Sequence, residues 1–271
     1  MFDVQDINGN DDLIIAYKIV EKKYVDSIVN RGQIFFSPIA EYREMGKQDK
    51  REIGDRHEAA LTNYISEYIK LDGKYVEIHG PNAGNNARIN ANQCAFCFYM
   101  VGLKSHSHDA DGKYRFRIPY SDLKKICKDK GGIENCVIIV FDSNTLTKIY
   151  DSLKARRFFY EGGKVIYDDF NYIPKYKDIN SWQYALECCF HKLNCYSYQN
   201  EFRIVALNSE KGPIADLFID IDENEIQVLE LKDGCDFCSC IEMEAKMISD
   251  KIVGVSLHIE HSLETVTTDE T

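Results

Sequence analysis

The residues best equipped for chemistry lie in YSYQNEFRIV, positions 196–205. Gln199, Glu201 and Arg203 are spaced two apart, so an extended strand projects all three from one face. Tyr198, Phe202 and Ile204 then point to the other face, with Asn200 the one polar residue among them. A positive neighbour favours the charged form of an acid, so Arg203 would keep Glu201 ionised. An ionised carboxylate beside a ribose holds a hydroxyl and stabilises an oxocarbenium-like transition state. The same spacing also describes a solvated strand face, supported by cross-strand ion pairs that add little stability. Spacing alone leans towards that plainer reading.

Other chemistry-bearing groups are looser. The charged segment EMGKQDKREIGDRHEA brings Arg51, Asp55, Arg56 and Glu58 together, either as a surface cluster or as a second rim of a pocket. His57 within it would serve as a base for an acceptor hydroxyl, or is simply exposed. Cys94 and Cys97, with Cys235, Cys238 and Cys240, give CxxC spacings that a structural zinc site would use. Cys94 and Cys97, however, fall in an apolar run where a strand sends them to opposite faces, so reduced core cysteines are expected and no metal. The loop KSHSHDADGK carries two histidines and two aspartates; it reads as a solvated turn. No P-loop, Rossmann glycine fingerprint, GxSxG elbow or HExxH motif occurs.

The elements that must position these groups follow from hydrophobic periodicity. LIIAYKI reads as a strand, Tyr24 to Val29 as a helix stopped by Gly32, and QIFFSP as a strand ended by Pro38. Residues 79–93, rich in Asn and Gly, read as a loop, and NQCAFCFYM as a buried strand. Ser121 is expected to cap a helix that ends at Gly131–Gly132. CVIIVF is a buried strand, and Leu146 to Leu153 and Trp182 to Phe190 mark helix faces. GKVIYDDF, IADLFIDI, EIQVLEL and KIVGVSLHI read as strands, with a helix around residues 241–249. The expectation is an α+β fold: one domain over residues 1–259 and a frayed acidic tail over 260–271.

Bulk composition sets limits. Lys and Arg number 33 against 44 Asp and Glu, a net charge of −11, so a broad electrostatic footprint for nucleic acid is missing, while net charge leaves open where a local basic groove would sit. The longest clean apolar run, CVIIVF, cannot span a bilayer, and the acidic opening MFDVQDINGNDD lacks an apolar export segment. A cytoplasmic protein with no membrane partner is expected.

Several short motifs, taken in order, resemble the ADP-ribosyltransferase superfamily. AYKIVEKKYVDSIVNRGQIFFS is similar to its opening of strand, helix, glycine and second strand, which DarT-type toxins and RNA 2′-phosphotransferases share. Gln199-Asn200-Glu201 matches its [Q/E]-x-E element. The chain resembles most a bacterial, often defence-associated family within or near that superfamily. The matching motifs are Tyr17-Lys18, Phe36-Ser37, Asp55 to Glu58, Cys97-Phe98, Val165 to Tyr167, and Lys192 to Arg203. Differences are Gln199 at the first E-x-E position, Tyr99 where a serine is usual, and Lys18 where better-known members carry His or Arg.

The resemblance implies a split, mixed β-sheet with flanking helices and the use of NAD as substrate. Glu201 would bond the nicotinamide-ribose hydroxyl and stabilise the cation, and Gln199 would orient the acceptor. Tyr17 and Lys18 would anchor the nucleotide, with Ser37 and Arg203 also in the NAD site. Phe98, Tyr99 or Tyr167 would stack on nicotinamide or belong to the core, and Arg51 or Arg56 would touch pyrophosphate. The implied activity is ADP-ribosyl transfer to a macromolecular acceptor, nucleic acid or protein, in a bacterial toxin or antiphage effector restrained by an inhibitor or antitoxin. An NAD glycohydrolase, and a non-catalytic nucleotide- or partner-binding module on the same fold, are the alternatives.

Overall fold

The computed structural model of the protein describes residues 14–47, 64–71, 74–81, 92–102, 114–141, 143–168, 175–176, 178, 180–210, 212–222, 225–248 and 251–265. In chain order, β1 (Ile14–Glu21), α1 (Val25–Val29), β2 (Gln33–Pro38) and α2 (Ile39–Lys47) come first. Then follow β3 (Tyr64–Leu71), β4 (Lys74–Pro81), β5 (Asn92–Gly102), β6 (Tyr114–Ile118) and α3 (Tyr120–Cys127). Next are β7 (Cys136–Phe141), α4 (Ser143–Ala155), β8 (Phe159–Lys164), β9 (Ile166–Asp168), α5 (Trp182–Cys188) and β10 (His191–Leu193). The chain continues with β11 (Glu201–Asn208), β12 (Ile214–Phe218), β13 (Ile226–Glu230), β14 (Cys235–Ile248) and β15 (Lys251–Thr265). The fold class is α+β, with antiparallel pairing dominant and β9–β10 a parallel pair.

The chain separates into two compact units, Met1–Ile34 with Phe98–Ser152 and Asp216–Thr271, and Phe35–Cys97 with Leu153–Ala215. In the first unit β7 is the axis. Every residue of CVIIVF is buried, and β1 and β13 pair antiparallel on either side of it. A run of β-branched and apolar residues without alternation suits a strand covered on both faces. The end of β5 extends this sheet beyond β1, with Tyr17 opposite Tyr99. A separate antiparallel sheet joins β6, β14 and β15.

Gly32 closes the turn between α1 and β2 at φ +63°, and its carbonyl accepts from the Ile219 amide at 2.9 Å. A Cβ there would lie 1.8 Å from the Ile219 carbonyl oxygen, so this stop requires glycine for both backbone and space.

The second unit packs α5 against β11. Tyr184, Ala185, Leu186, Cys188, Cys189 and Phe190 meet Ile39, Ala95, Val205 and Leu207. Ser181 caps α5 by accepting the Tyr184 amide at 3.2 Å, as its residue type favours. β11 pairs antiparallel with β8, and β3 pairs with β4.

Several expectations need correction. Residues 241–248 form strand rather than helix. Glu242, Met243, Glu244, Ala245 and Lys246 are helix formers, but apolar and polar residues alternate from Ile241 to Met247, and pairing with β15 wins. That pairing carries β15 to Thr265, through the first part of the expected tail. Ser121 lies inside α3 rather than at its cap, because the Asp236 carboxylate of β14 accepts the Tyr120 amide at 2.6 Å. GKVIYDDF divides into β8 and β9 at Val165, whose amide turns to the Glu201 carbonyl at 2.9 Å. Part of the 79–93 segment is strand, at the end of β4 and the start of β5. Among the described residues no helix is long and apolar enough to cross a membrane.

Candidate functional site

In the second unit a buried ionic cluster forms where β11 begins. A 3₁₀ helix, Asn194–Gln199, precedes it, and Asn200 takes the left-handed conformation at φ 39°. Asparagine tolerates that conformation better than most residues. The consequence for Glu201 is specific: the strand starts with it, so Glu201 and Arg203 share a face as the spacing expects, while Gln199 does not belong to the strand.

Arg203 donates from Nε at 2.8 Å and from Nη2 at 2.6 Å to Glu201 Oε2, and from Nη1 to the Cys189 carbonyl at 2.6 Å. Lys192 of β10 donates to Glu201 Oε1 at 3.0 Å and to Gln199 Oε1 at 2.6 Å. Gln199 therefore joins Glu201 through the lysine rather than along a common strand face. The Glu201 amide donates to the Tyr167 hydroxyl at 2.9 Å. Side-chain exposure is 2% for Lys192 and Arg203 and 12% for Glu201, so the two cations are sealed and the carboxylate keeps one accessible edge.

Two cations around one anion decide its charge state. Burial alone pushes the Glu201 carboxyl up, but the Arg203 and Lys192 charges and hydrogen bonds outweigh it and hold the carboxyl at about 2. Tyr42 is pushed well above the ordinary phenol range by burial; its hydroxyl is bonded to the Ser37 side chain, and it feels Cys97, Arg203 and Glu201. The arrangement can present an ionised carboxylate edge inside a positive surround. Such an edge suits a hydroxyl donor or a developing cation.

The remaining expected site residues are distributed as follows. Ser37, Tyr167, Gln199, Glu201 and Arg203 belong to the second unit. Tyr17, Lys18, Phe98 and Tyr99 belong to the first. There Tyr17 is fully buried, with its hydroxyl 3.4 Å from Ser239 Oγ, and burial raises it to about 12. Lys18 Nζ sits 5.9 Å from the Phe98 ring centroid, and Phe98 packs edge-on to Phe141 at 5.3 Å. Arg51, Asp55, Arg56, His57 and Glu58 lie outside the described residues, as does the 104–113 loop.

Cys94 is buried on β5 and Cys97 half-buried. Among the described residues no group of three or more His, Cys, Asp or Glu is placed to hold a metal ion.

Sequence reasoning names Lys192 only as the first residue of the Lys192-to-Arg203 motif, with no role at the site, and misses Tyr42. A lysine inside the mostly apolar CCFHKL stretch is the available signal, since a buried lysine needs a partner. Tyr42 gave none, because its approach depends on how α2 packs. Compared with protein-family models, curated proteins and solved structures, the chain matches none.

Proposed function

We propose that the protein is an NAD-using ADP-ribosyltransferase-like enzyme, with the superfamily's split sheet, acting on a macromolecular acceptor in the bacterial cytoplasm as a toxin or antiphage effector. The observation that carries this reading is Glu201, a buried carboxylate kept ionised by Lys192 and Arg203 and still open along one edge. In the reaction, the bond from ribose C1 to the nicotinamide nitrogen breaks and its electron pair leaves with nicotinamide. Glu201 bonds a ribose hydroxyl and stabilises the cation left behind, and an acceptor nucleophile then bonds to C1 and releases its proton. Loss of one such stabilising group lowers a rate by about 10²–10³.

One observation favours a second reading. Both oxygens of Glu201 already accept hydrogen bonds, Oε1 from Lys192 and Oε2 twice from Arg203. A carboxylate so engaged also suits a non-catalytic module that holds a nucleotide or a partner. Mass spectrometry of protein incubated with NAD and cell lysate separates the possibilities. An acceptor heavier by one ADP-ribose supports transfer, free ADP-ribose alone supports hydrolysis, and unchanged NAD supports the binding module.

A further inference from the structure

The second unit carries another surface, one that the Glu201 cluster does not use. Phe159, at the start of β8, and Trp182, at the start of α5, stack with ring centroids 5.1 Å apart and planes 26° from parallel. They nevertheless remain 55% and 40% exposed. A pre-stacked, exposed aromatic pair offers a π-face at little ordering cost.

The same unit holds a cavity of about 220 Å³ lined by Gly162 and Gly163 of β8, Ile166, Tyr176, Phe190 and His191. A Cβ on Gly163 would meet the Phe190 ring at 3.4 Å, so anything larger than alanine there takes up the space. In the β9–β10 ladder Ile166 lies opposite His191, and the next pair is Tyr167 with Lys192. Successive strand residues point to opposite faces. Ile166 and His191 therefore lie on the cavity side of this short ladder, and Tyr167 and Lys192, which serve Glu201, on its other side.

The flanking charge is basic in an acidic chain. From residue 152 to 160 Lys154, Arg156 and Arg157 are exposed with no acid among them, while in β8 Glu161 shares the face of Phe159 and Lys164 lies on the opposite face. Glu187, which also lines the cavity, is committed to the amides of Lys175 and Tyr176 at 2.7 and 3.1 Å. Arg157 follows α4 in the left-handed conformation at φ 59°. The bonds from its amide to the Lys154 carbonyl and from the Phe158 amide to the Leu153 carbonyl, at 3.0 and 3.1 Å, make a helix stop that glycine ordinarily fills. An arginine held there against its backbone preference points to a use for its guanidinium.

We propose that this face binds single-stranded nucleic acid, with bases stacked on Trp182 and Phe159 and the phosphate backbone along Arg156 and Arg157. Stacking on aromatics beside a positively charged track is the general chemistry of single-strand recognition, and it requires no sequence code. The proposal stands apart from NAD chemistry.

Trp182 is the chain's single tryptophan, so its fluorescence reports the stacking directly. The test titrates NAD-free full-length protein at about 50 mM salt with oligo(dT) and oligo(U) of about 12 nucleotides, a DNA duplex and polyglutamate. Quenching by either single strand is expected, and the two arms tell DNA from RNA. Added salt should weaken binding with a slope of about −1.4, as for two phosphate contacts on a single strand. Phe159→Ala should weaken binding about 10-fold or more, read by anisotropy of labelled oligonucleotide.

Arg157→Gly relieves the backbone at the helix stop, so it should melt higher and still bind several-fold more weakly. That pairing separates a binding role from a folding defect. The proposal is overturned by the absence of single-strand binding, by equal binding of polyglutamate or duplex, or by full affinity in both variants.

Discussion

Arg203 places two nitrogens on one oxygen of Glu201, at 2.8 and 2.6 Å, while its third anchors to the Cys189 carbonyl. The guanidinium is thus fixed by the end of α5, and it in turn fixes the carboxylate. With Lys192 on the other oxygen, three charged groups share a site with little access to water.

Removing one member leaves the others buried without compensation, which costs about 3–5 kcal/mol in comparable sites. Arg203→Met and Lys192→Met should each lose stability on that scale in urea unfolding. Replacing Lys192, Glu201 and Arg203 together by apolar residues of similar volume should recover most of it. Single variants within about 0.5 kcal/mol of wild type would mean the cluster is not holding the structure.

The same cluster sets an acid limit. The Glu201 carboxyl stands at about 2 in the folded protein against an ordinary value of 4.5. Burial raises it, and Arg203 and then Lys192 bring it below that value. A depressed folded value gives stability that is fully present above 4.5 and is lost as pH falls towards 2. Urea unfolding across that window should show wild type losing stability more steeply than Glu201→Gln. Parallel curves would show that Glu201 does not contribute.

Tyr167 holds the start of β11 through its hydroxyl, which accepts the Glu201 amide at 2.9 Å. Tyr167→Phe leaves that amide without its acceptor, for a loss of about 1–3 kcal/mol. The check is the melting temperature beside that of a conservative surface Tyr→Phe control.

Gly32→Ala tests the turn between α1 and β2. The added methyl would overlap the Ile219 carbonyl and impose a left-handed alanine, for a combined loss of about 3 kcal/mol or more. A melting temperature close to wild type would contradict the turn geometry.

Much of this was legible. The strands β1, β2 and β7 and the face of α5 follow from apolar periodicity, because burial drives both the pattern and the element. The pairing of Glu201 with Arg203 follows from two-residue spacing within a strand. Gln199 defeated the same rule because Asn200 turns left-handed between them, a backbone choice that periodicity does not encode. Lys192 lies nine residues from Glu201, and only the intervening 3₁₀ helix brings the two together. In β14, helix-forming residue types masked an alternating pattern that cross-strand pairing made decisive.

Release of nicotinamide from NAD by wild-type and Glu201→Gln protein, with cell lysate as acceptor source, tests the central claim most directly. The Glu201→Gln protein leaves two cations buried without their anion, so it is assayed well below its melting temperature, with circular dichroism confirming the fold. The account predicts release by wild type and a rate lower by about 10²–10³ in the variant. Equal release by the two proteins, or none from wild type with NAD failing to raise its melting temperature, would contradict it.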